Sequence, residues 1–150
     1  MFIFVPLTRD YWLEMPDEAR PRHCQDTKGV VALSLDGVMQ AACVMDTWSH
    51  NACQIHMYIK NPMVIRHGFF EEVCNFVFGD DSGRELLIGV TPADNAKALK
   101  FNRHVGMVEN HRIKDGYAKG IDYVITTMRK EHCRWIEQPV QLELVGGLNG

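Results

Sequence analysis

The sequence lacks a long apolar run, a basic cluster and a regular cysteine pattern, and each absence excludes a class of protein. No apolar run approaches the roughly 18–20 residues of a membrane-spanning helix, so no membrane partner is predicted. The 16 Lys and Arg residues are outnumbered by 19 Asp and Glu, and the formal net charge is −3. Because proteins that bind duplex nucleic acid normally carry a basic face, nucleic acid is not a predicted partner either.

Cysteines are present in an odd number and without CxxC spacing. They are Cys24, Cys43, Cys53, Cys74 and Cys133. This usage is typical of small, buried, reduced thiols, and it predicts a cytoplasmic protein. Neither His23-Cys24 nor His132-Cys133 makes a zinc clamp, since neighbours on a strand point opposite ways, and no metal site is predicted. No cysteine is placed at a helix start beside a histidine, which argues against a cysteine hydrolase.

The length and composition predict one globular domain over residues 1–150. The chain is 46% hydrophobic and 23% charged, which is the balance of an ordinary folded protein. A chain of this length buries about two-thirds of its unfolded surface. Residues 1–6 are apolar but lack a basic lead, so they do not predict a signal peptide.

Hydrophobic periodicity predicts the order β-α-β-β-β-α-β-α-β-β. The predicted strands cover residues 2–7, 29–35, 38–45, 53–59, 85–90, 107–113 and 123–128. The predicted helices cover residues 11–20, 64–78 and 95–104, the first capped by Thr8 or Asp10. Asp36-Gly37 predicts a hairpin with a type I′ turn, and Gly106 predicts a helix C-cap. Strands alternating with helices in the second half favour a parallel pair inside a mixed sheet.

The most informative segment is residues 95–107 (NAKALKFNRHVGM), which follows a predicted buried strand. Its spacing resembles the late motif of the GNAT (GCN5-related N-acetyltransferase) superfamily, with matching residues at Asn95, Ala98, Phe101, Gly106 and Met107. The resemblance covers about residues 29–130, and residues 131–150 are predicted to be a C-terminal extension with a flexible end.

The resemblance implies a single GNAT-like domain of the α/β (α+β) class. Such a domain has a mixed central sheet of about six to seven strands, with a splayed parallel pair and flanking helices. Ligands of open α/β sheets bind where neighbouring strands part, and a helix N-terminus there attracts phosphate. The resemblance therefore implies acetyl-CoA as acyl donor. The implied binding residues are Met57, Tyr58, Ile59, Arg66, His67, Gly68, Asn95, Lys100 and Arg103, with Lys97 beside them.

Two departures from the family pattern concern the cofactor and the chemistry. Only the glycine of the family's pyrophosphate loop is present in residues 65–70 (IRHGFF), and Phe70 replaces a tiny residue. If Phe69 and Phe70 both pack inward, the helix start stays open for phosphate; if Phe70 fills the cleft, cofactor binding is excluded. Asn102 stands where the family usually has a tyrosine that protonates the leaving thiolate.

The resemblance predicts an acetyl-CoA-dependent N-acetyltransferase acting on the amine of a small molecule or protein. Its candidate catalytic residues are His56 and His104 as bases, with Asn102 near the thiolate. The alternative is a non-catalytic GNAT-like protein of a tailed phage, which works in the host cytoplasm through protein contacts in virion assembly or host takeover. Trp12, Trp48 and Trp135 are then interface anchors rather than core residues. A homodimer and the identity of the acceptor stay open.

Overall fold

The computed structural model describes residues 1–139, and its elements follow the predicted order. The strands in this part of the chain are β1 (Ile3–Pro6), β2 (Lys28–Leu33), β3 (Met39–Asp46), β4 (Ala52–Ile59), β5 (Leu86–Pro92), β6 (Val108–Ala118) and β7 (Ile121–Arg129). The helices are α1 (Arg9–Glu14), α2 (Met63–Arg66), α3 (Phe69–Phe78) and α4 (Ala96–Val105), with short 3-10 turns at Asp17–Ala19 and Lys130–His132. The predicted flexible end lies outside the described residues.

The strands form one mixed sheet in the order β1-β2-β3-β4-β5-β7-β6. β4 and β5 are parallel, and the other neighbouring strands are antiparallel. The parallel ladder is short and ends where Gln54 faces Ile88. Beyond that pair, β4 continues to Ile59 and β5 to Pro92 without facing each other. The predicted mixed sheet with a splayed parallel pair is confirmed.

Helices cover both faces of the sheet. On one face, Phe69 and Phe70 of α3 are fully buried together with Val105 of α4. On the other face, Tyr11 and Trp12 of α1 pack against a smaller cluster of β2 and β3 side chains. Apolar side chains therefore cover the central strands on both sides. No helix within residues 1–139 has the length and apolarity needed to cross a membrane.

The single helix predicted over residues 64–78 is wrong, because the chain breaks it into α2 and α3. α2 ends at Arg66, and Gly68 has a φ of 97° before α3 begins. This left-handed conformation interrupts the helical hydrogen bonds and costs glycine less than any other residue. The break places the start of α3 one turn later than the sequence pattern predicted.

The first helix is also shorter than predicted and begins at Arg9 rather than Tyr11, with Thr8, one of the two predicted caps, as its N-cap. The side chain of Thr8 accepts a hydrogen bond from the Tyr11 N–H at 3.3 Å and caps α1. The helix ends at Glu14, because Pro16 disfavours the helical conformation at Met15, whose ψ is 145°. The segment from Pro16 onward is then free to run along the sheet.

The hairpin at Asp36-Gly37 is present, but its turn type differs from the prediction. The Ser34 and Val38 backbones are joined by an N–H···O bond of 2.9 Å, and the Gly37 N–H donates to Ser34 O at 2.9 Å. In this turn only Gly37 has a positive φ, of 85°. A type I′ turn needs two such residues, so this is a longer turn with one left-handed glycine.

The last hairpin is longer than predicted. Asp115-Gly116, which falls between the predicted strands 107–113 and 123–128, lies inside β6 at a shift in register, where Asp115 has a φ of 54°. The turn itself lies at Lys119-Gly120. Every residue of β6 is exposed, so this edge strand contributes little to the core.

The chain after β7 returns to α4. Trp135 Nε1 donates to Val105 O at 2.7 Å, and the Arg134 guanidinium donates to His104 O. Cys133 is buried in the main core. The predicted C-terminal extension is therefore packed onto the domain as far as Ile136.

Candidate active site

The splay of β4 and β5 leaves the last residues of β4 with one bare edge. On its other edge β4 pairs with β3 as far as Ile59, which faces Ala41. β3 bonds to the backbone groups on only one edge of β4. Beyond Gln54, the backbone groups on the other edge of β4, which points toward β5, have no strand partner within the described chain. These N–H and C=O groups can bind an extended ligand as an added strand would bind.

A cavity of about 390 Å³ lies in this gap. Its walls come from the end of β4, the α2 turn, the start of α4 and the segment after α1. The lining residues are Pro16, Glu18, Ala19, Met57, Tyr58, Ile59, Pro62, Ile65, Asn95, Lys97, Ala98, Phe101 and Asn102. Cavities of this volume with a mainly apolar lining and a few polar groups are typical of small-molecule sites.

The N-terminus of α4 lies at the wall of this cavity. Asn95 Oδ1 accepts a hydrogen bond from the Ala98 N–H at 3.1 Å and caps the helix, as predicted. The other N–H groups of the first turn have no partner inside the helix, so this end carries partial positive charge. The wall is therefore apolar at Phe101 and electropositive at the helix start.

Solved structures share this architecture, whereas no protein-family model and no curated protein matches the sequence at a significant level. The spermidine/spermine N-acetyltransferase SpeG from Vibrio cholerae is similar with a TM-score of 0.69 at 9% identity, over 87% of this chain and 93% of its own. A protein described as an acetyltransferase from Acinetobacter baylyi ADP1 has a TM-score of 0.68 at 13% identity, over 92% and 97%. A protein described as a GNAT-family acetyltransferase from Desulfovibrio desulfuricans has a TM-score of 0.60 at 17% identity, over 69% of each chain.

This chain has the GNAT fold. The cofactor-binding residues that the resemblance implied fall into two groups in the structure. Met57, Tyr58, Ile59 and Asn95 come together in the lining of the cavity. The remaining residues lie outside the lining, and they are Arg66, His67, Gly68, Lys100 and Arg103.

The turn between α2 and α3 packs toward β1 rather than into the cavity. The His67 ring lies 5.6 Å from the ring of Phe2, and Gly68 faces Phe4. Of this region only Pro62 and Ile65 line the cavity. Ile65 also packs against the main core cluster, so it lies between the core and the cavity.

A carboxylate lies at the N-terminus of α3, where the GNAT resemblance implied a pyrophosphate site. Glu71 Oε2 is buried and has no hydrogen-bond partner. It lies 3.6 Å from where a Cβ on Gly68 would be. Because an anion prefers this end of a helix, the Glu71 carboxylate competes for the position of a bound phosphate.

Phe69 and Phe70 both pack inward, which is the arrangement that leaves the start of α3 open. Both side chains are fully buried. The Phe70 ring lies 6.1 Å from Phe101 and 5.6 Å from Trp135, edge-on to each. Phe70 therefore supports the cavity wall from behind and does not fill the cavity.

Asn102, one of the predicted catalytic residues, lines the cavity from α4. It is buried, and its Nδ2 donates to Thr91 Oγ1 at 3.3 Å. An amide does not release a proton near neutral pH, so Asn102 contributes a hydrogen bond and not an acid. Thr91 on β5 fixes the orientation of the amide across the gap.

His56, the second predicted catalytic residue, forms an ion-pair geometry that the sequence analysis did not anticipate. Its Nε2 lies 2.8 Å from Asp46 Oδ1 on β3. The same carboxylate oxygen accepts from Thr47 Oγ1 at 3.1 Å. Because a carboxylate only accepts, Nε2 donates in this pair, and in the neutral imidazole Nδ1 is the acceptor nitrogen. Both residues are part-buried.

His56 and Asp46 line a second cavity of about 470 Å³. Its other lining residues are Pro21, Arg22, Cys24, Asp26, Thr47 and Gln54. The two cavities share the walls formed by β4 and by the segment after α1. His56 lines the second cavity and Met57, the next residue of β4, lines the first, so the two cavities adjoin along this strand.

His104, the third predicted catalytic residue, lies at the other end of α4. It is exposed in the last turn of the helix, and its backbone O accepts from Arg134. A helix of this length places His104 roughly 13 Å along the axis from the cap at Asn95. Arg103 precedes it and is also exposed. The structure therefore does not bring His104 to either cavity.

The segment after α1 supplies wall residues that the sequence analysis missed. Pro16, Glu18 and Ala19 line the first cavity. Pro16 was the feature of the sequence that could have indicated them, because it ends α1 and the chain after it turns toward β4. The pairing of Asp46 with His56 had no local signal, since it depends on the register of β3 against β4.

The indole N–H groups of the three tryptophans form hydrogen bonds inside the domain. Trp12 Nε1 donates to Pro21 O at 2.8 Å and Trp48 Nε1 to Asp26 O at 2.9 Å. Each ring, like that of Trp135, also packs against apolar core residues. All three tryptophans are partly buried, so each ring is shared between the core and the surface.

Proposed function

We propose that this protein is an acetyl-CoA-dependent N-acetyltransferase that acts on an amine. The observation that carries the proposal is the cavity at the splay of β4 and β5, where a bare strand edge faces the N-terminus of α4. A ligand with an extended amide chain and an apolar end suits this combination. The similar fold of SpeG, an N-acetyltransferase by its name, supports the same reaction class.

The cavity fits the pantetheine arm and acyl end of acetyl-CoA. The backbone of Met57, Tyr58 and Ile59 would hydrogen-bond the arm, and the side chains of Ile65 and Phe101 would contact it. Acetyl-CoA supplies an activated thioester when bound. The cavity walls hold that group beside β4 and limit the access of water.

We assign the phosphates of the cofactor to basic residues at the rim. Lys97 lines the cavity, and Lys100 follows it on the same side of α4. Arg103 continues that side, and Arg66 directly follows the lining residue Ile65. His67 and Gly68 are the remaining candidates, and Glu71 beside them weakens phosphate binding at the α3 start.

We assign the general base to His56. In the neutral imidazole its Nδ1 would take the proton that an amine must lose before it attacks a thioester. Asp46 orients the ring through Nε2 and stabilises the imidazolium that forms. The second cavity then holds the acceptor, and its carboxylates Asp26 and Asp46 suit a cationic amine.

A second candidate function is a non-catalytic protein that retains the fold and acts through protein contacts. The specific observation in its favour is the buried Glu71 oxygen at the expected pyrophosphate position. Asn102 in place of a proton donor points the same way, although loss of one proton-transfer group costs about 10²–10⁴-fold in rate and not the whole reaction.

Calorimetric titration with acetyl-CoA, and with CoA in parallel, separates the two candidates. The enzyme proposal expects binding in the micromolar range, about −8 kcal/mol. Micromolar binding followed by acetylation of amines in an acceptor screen would support it. Absence of binding at millimolar ligand would overturn it and favour the second candidate.

A further inference from the structure

The outer wall of the second cavity is formed by residues 21–26, a segment that is held in place at both of its ends. Trp12 Nε1 donates to Pro21 O at 2.8 Å, and Trp48 Nε1 donates to Asp26 O at 2.9 Å. The segment itself contains no helix or strand. Two indole rings therefore fix the position of a wall that has no regular backbone hydrogen bonds of its own.

This wall brings charges of opposite sign to the cavity, because both Arg22 and Asp26 line it. The Arg22 side chain forms no ion pair or hydrogen bond within residues 1–139. Arg20, by contrast, is bonded to Asp17 at 2.6 Å and lies over the Trp12 ring at 4.6 Å. Of these two arginines, Arg22 is the one whose guanidinium is available to a ligand.

The sheet side of the cavity carries a second carboxylate, that of Asp46. Its Oδ1 accepts from His56 Nε2 at 2.8 Å and from Thr47 Oγ1 at 3.1 Å. Its Oδ2 takes part in no hydrogen bond within the described residues. An ammonium group in the cavity can therefore donate to Oδ2 and lie beside the His56 ring.

The backbone of Thr47, which lines the same cavity, is in an unfavourable conformation. Its φ is 49°, a value that a β-branched residue rarely adopts. Such strained positions persist where surrounding contacts hold them, and they cluster at ligand sites. The bond from the Thr47 hydroxyl to Asp46 is one of these contacts.

We propose that the second cavity binds an acceptor with a carboxylate beside its amine, a free α-amino acid, and that Arg22 binds this carboxylate. The inference rests on the proposed acetyl transfer and names its substrate class. The ammonium group lies between Asp26 and Asp46, and the carboxylate accepts two hydrogen bonds from the guanidinium. A cavity of about 470 Å³ is of the size that holds a small molecule.

The mixture of charges separates this class of acceptor from a polyamine. A polyamine carries only positive groups, so it pairs with Asp26 and Asp46 but is repelled by Arg22. An α-amino acid satisfies both signs of charge at once. The unpaired guanidinium therefore selects for one class and against the other.

The transfer balances with one α-amino acid and one acetyl-CoA. The ammonium group gives one proton to His56, which releases it to solvent. The nitrogen then bonds to the acetyl carbonyl carbon as the C–S bond breaks, and its second proton goes to the CoA thiolate. The product is a neutral amide that keeps its carboxylate. Because the amide has no positive charge, it loses its attraction to Asp26 and Asp46, which favours its release.

A comparison of matched acceptors tests the substrate class. The full chain is supplied with acetyl-CoA and with the common L-amino acids, their α-amides or spermidine, and the release of free CoA is measured. The kcat/KM of a reactive amino acid is expected to exceed that of its α-amide about tenfold or more.

The outcomes separate this inference from the proposed function. If no amino acid is acetylated, the inference is overturned. Acetylation of spermidine or of the α-amides in that case leaves the proposed acetyl transfer standing. Absence of acetyl-CoA binding in calorimetry, together with no acetylation of any acceptor, overturns both.

Replacement of Arg22 tests the residue itself. Arg22 is exposed, so its variants should fold. Arg22→Gln should raise KM for the amino acid and reduce the preference over the α-amide about tenfold. Arg22→Lys should keep part of the preference, because lysine retains the charge without the paired hydrogen bonds.

Arg9→Gln is the matched control, since Arg9 is exposed at the start of α1 and lines neither cavity. A preference that Arg22→Gln leaves intact, or that Arg9→Gln lowers to the same extent, would overturn the assignment of Arg22.

Discussion

The orientation of the His56 ring depends on a residue of the neighbouring strand, β3. The register places Val44 opposite His56, so Asp46 lies diagonally across from it on β3. Diagonal neighbours are within reach of long side chains, and here Nε2 meets the carboxylate at 2.8 Å. The histidine thus has Nε2 held by Asp46, and the proposed mechanism uses the other ring nitrogen, Nδ1.

We predict that His56→Ala lowers kcat about 10²–10⁴-fold with little change in acetyl-CoA affinity. Asp46→Asn should lower kcat about tenfold or more, because the ring loses its orienting carboxylate. Steady-state kinetics and calorimetry on the same preparations measure the two quantities. His104→Ala is the matched control, since His104 lies away from both cavities.

Full activity of His56→Ala would remove His56 from the mechanism. A loss of activity in His104→Ala as large as in His56→Ala would contradict the assignment as well. Circular dichroism of each variant shows whether any loss reflects unfolding.

At the scale of the element, α3 differs most from what its sequence pattern predicted. The apolar stripe over residues 64–78 is continuous, but Gly68 adopts a left-handed conformation and divides it. The division places Glu71 in the first turn of α3, where a carboxylate interacts favourably with the helix dipole. That interaction stabilises the helix and opposes a second anion.

We predict that Glu71→Gln tightens CoA binding about two- to fivefold, because it removes a negative charge from the proposed phosphate region. Calorimetry at low salt measures the effect. Glu72→Gln is the matched control, since Glu72 carries the same charge on the next residue but is exposed. Unchanged affinity in Glu71→Gln would exclude His67 and Gly68 at the α3 start as phosphate ligands and leave the basic residues of α4.

At the scale of the whole molecule, the splay of β4 and β5 organises the candidate site. The parallel ladder ends at Gln54, and the gap beyond it receives side chains from β4, α2, α4 and the segment after α1. No single element contains the cavity. The second cavity adjoins it because both are walled by β4 and the same N-terminal segment.

We predict that Ala98→Trp fills the first cavity and weakens acetyl-CoA binding at least about tenfold. Ala98 lines the cavity on α4 and is only partly buried, so the free energy of unfolding should change by less than about 1 kcal/mol. Ala96→Trp, at the exposed first residue of the same helix, is the control. Affinity equal to that of the parent chain would contradict the assignment of this cavity to the cofactor.

Much of the fold was predictable from local pattern. The order of elements, the hairpin at Asp36-Gly37 and the caps at Thr8, Asn95 and Gly106 each depend on residues near one another in sequence. The turn type and the ends of α1 and α2 were not predicted, because a proline or glycine changed the backbone inside an otherwise regular pattern.

The candidate site was predictable only in part. Met57, Tyr58, Ile59, Asn95 and Asn102 were named from the sequence and meet in one cavity. Glu18 and Asp46 were missed, because a wall residue or an ion-pair partner has no periodicity of its own.

The sequence by itself determined the elements, since periodicity, caps and turn residues act over a few positions. It also determined the chemistry available: seven histidines, five thiols and no basic excess. Tertiary structure decided which of these groups meet. The register of β3 on β4 joined Asp46 to His56, and the packing of the segment after β7 brought Trp135 to Val105 of α4. Such contacts depend on pairing between distant segments, which no local pattern encodes.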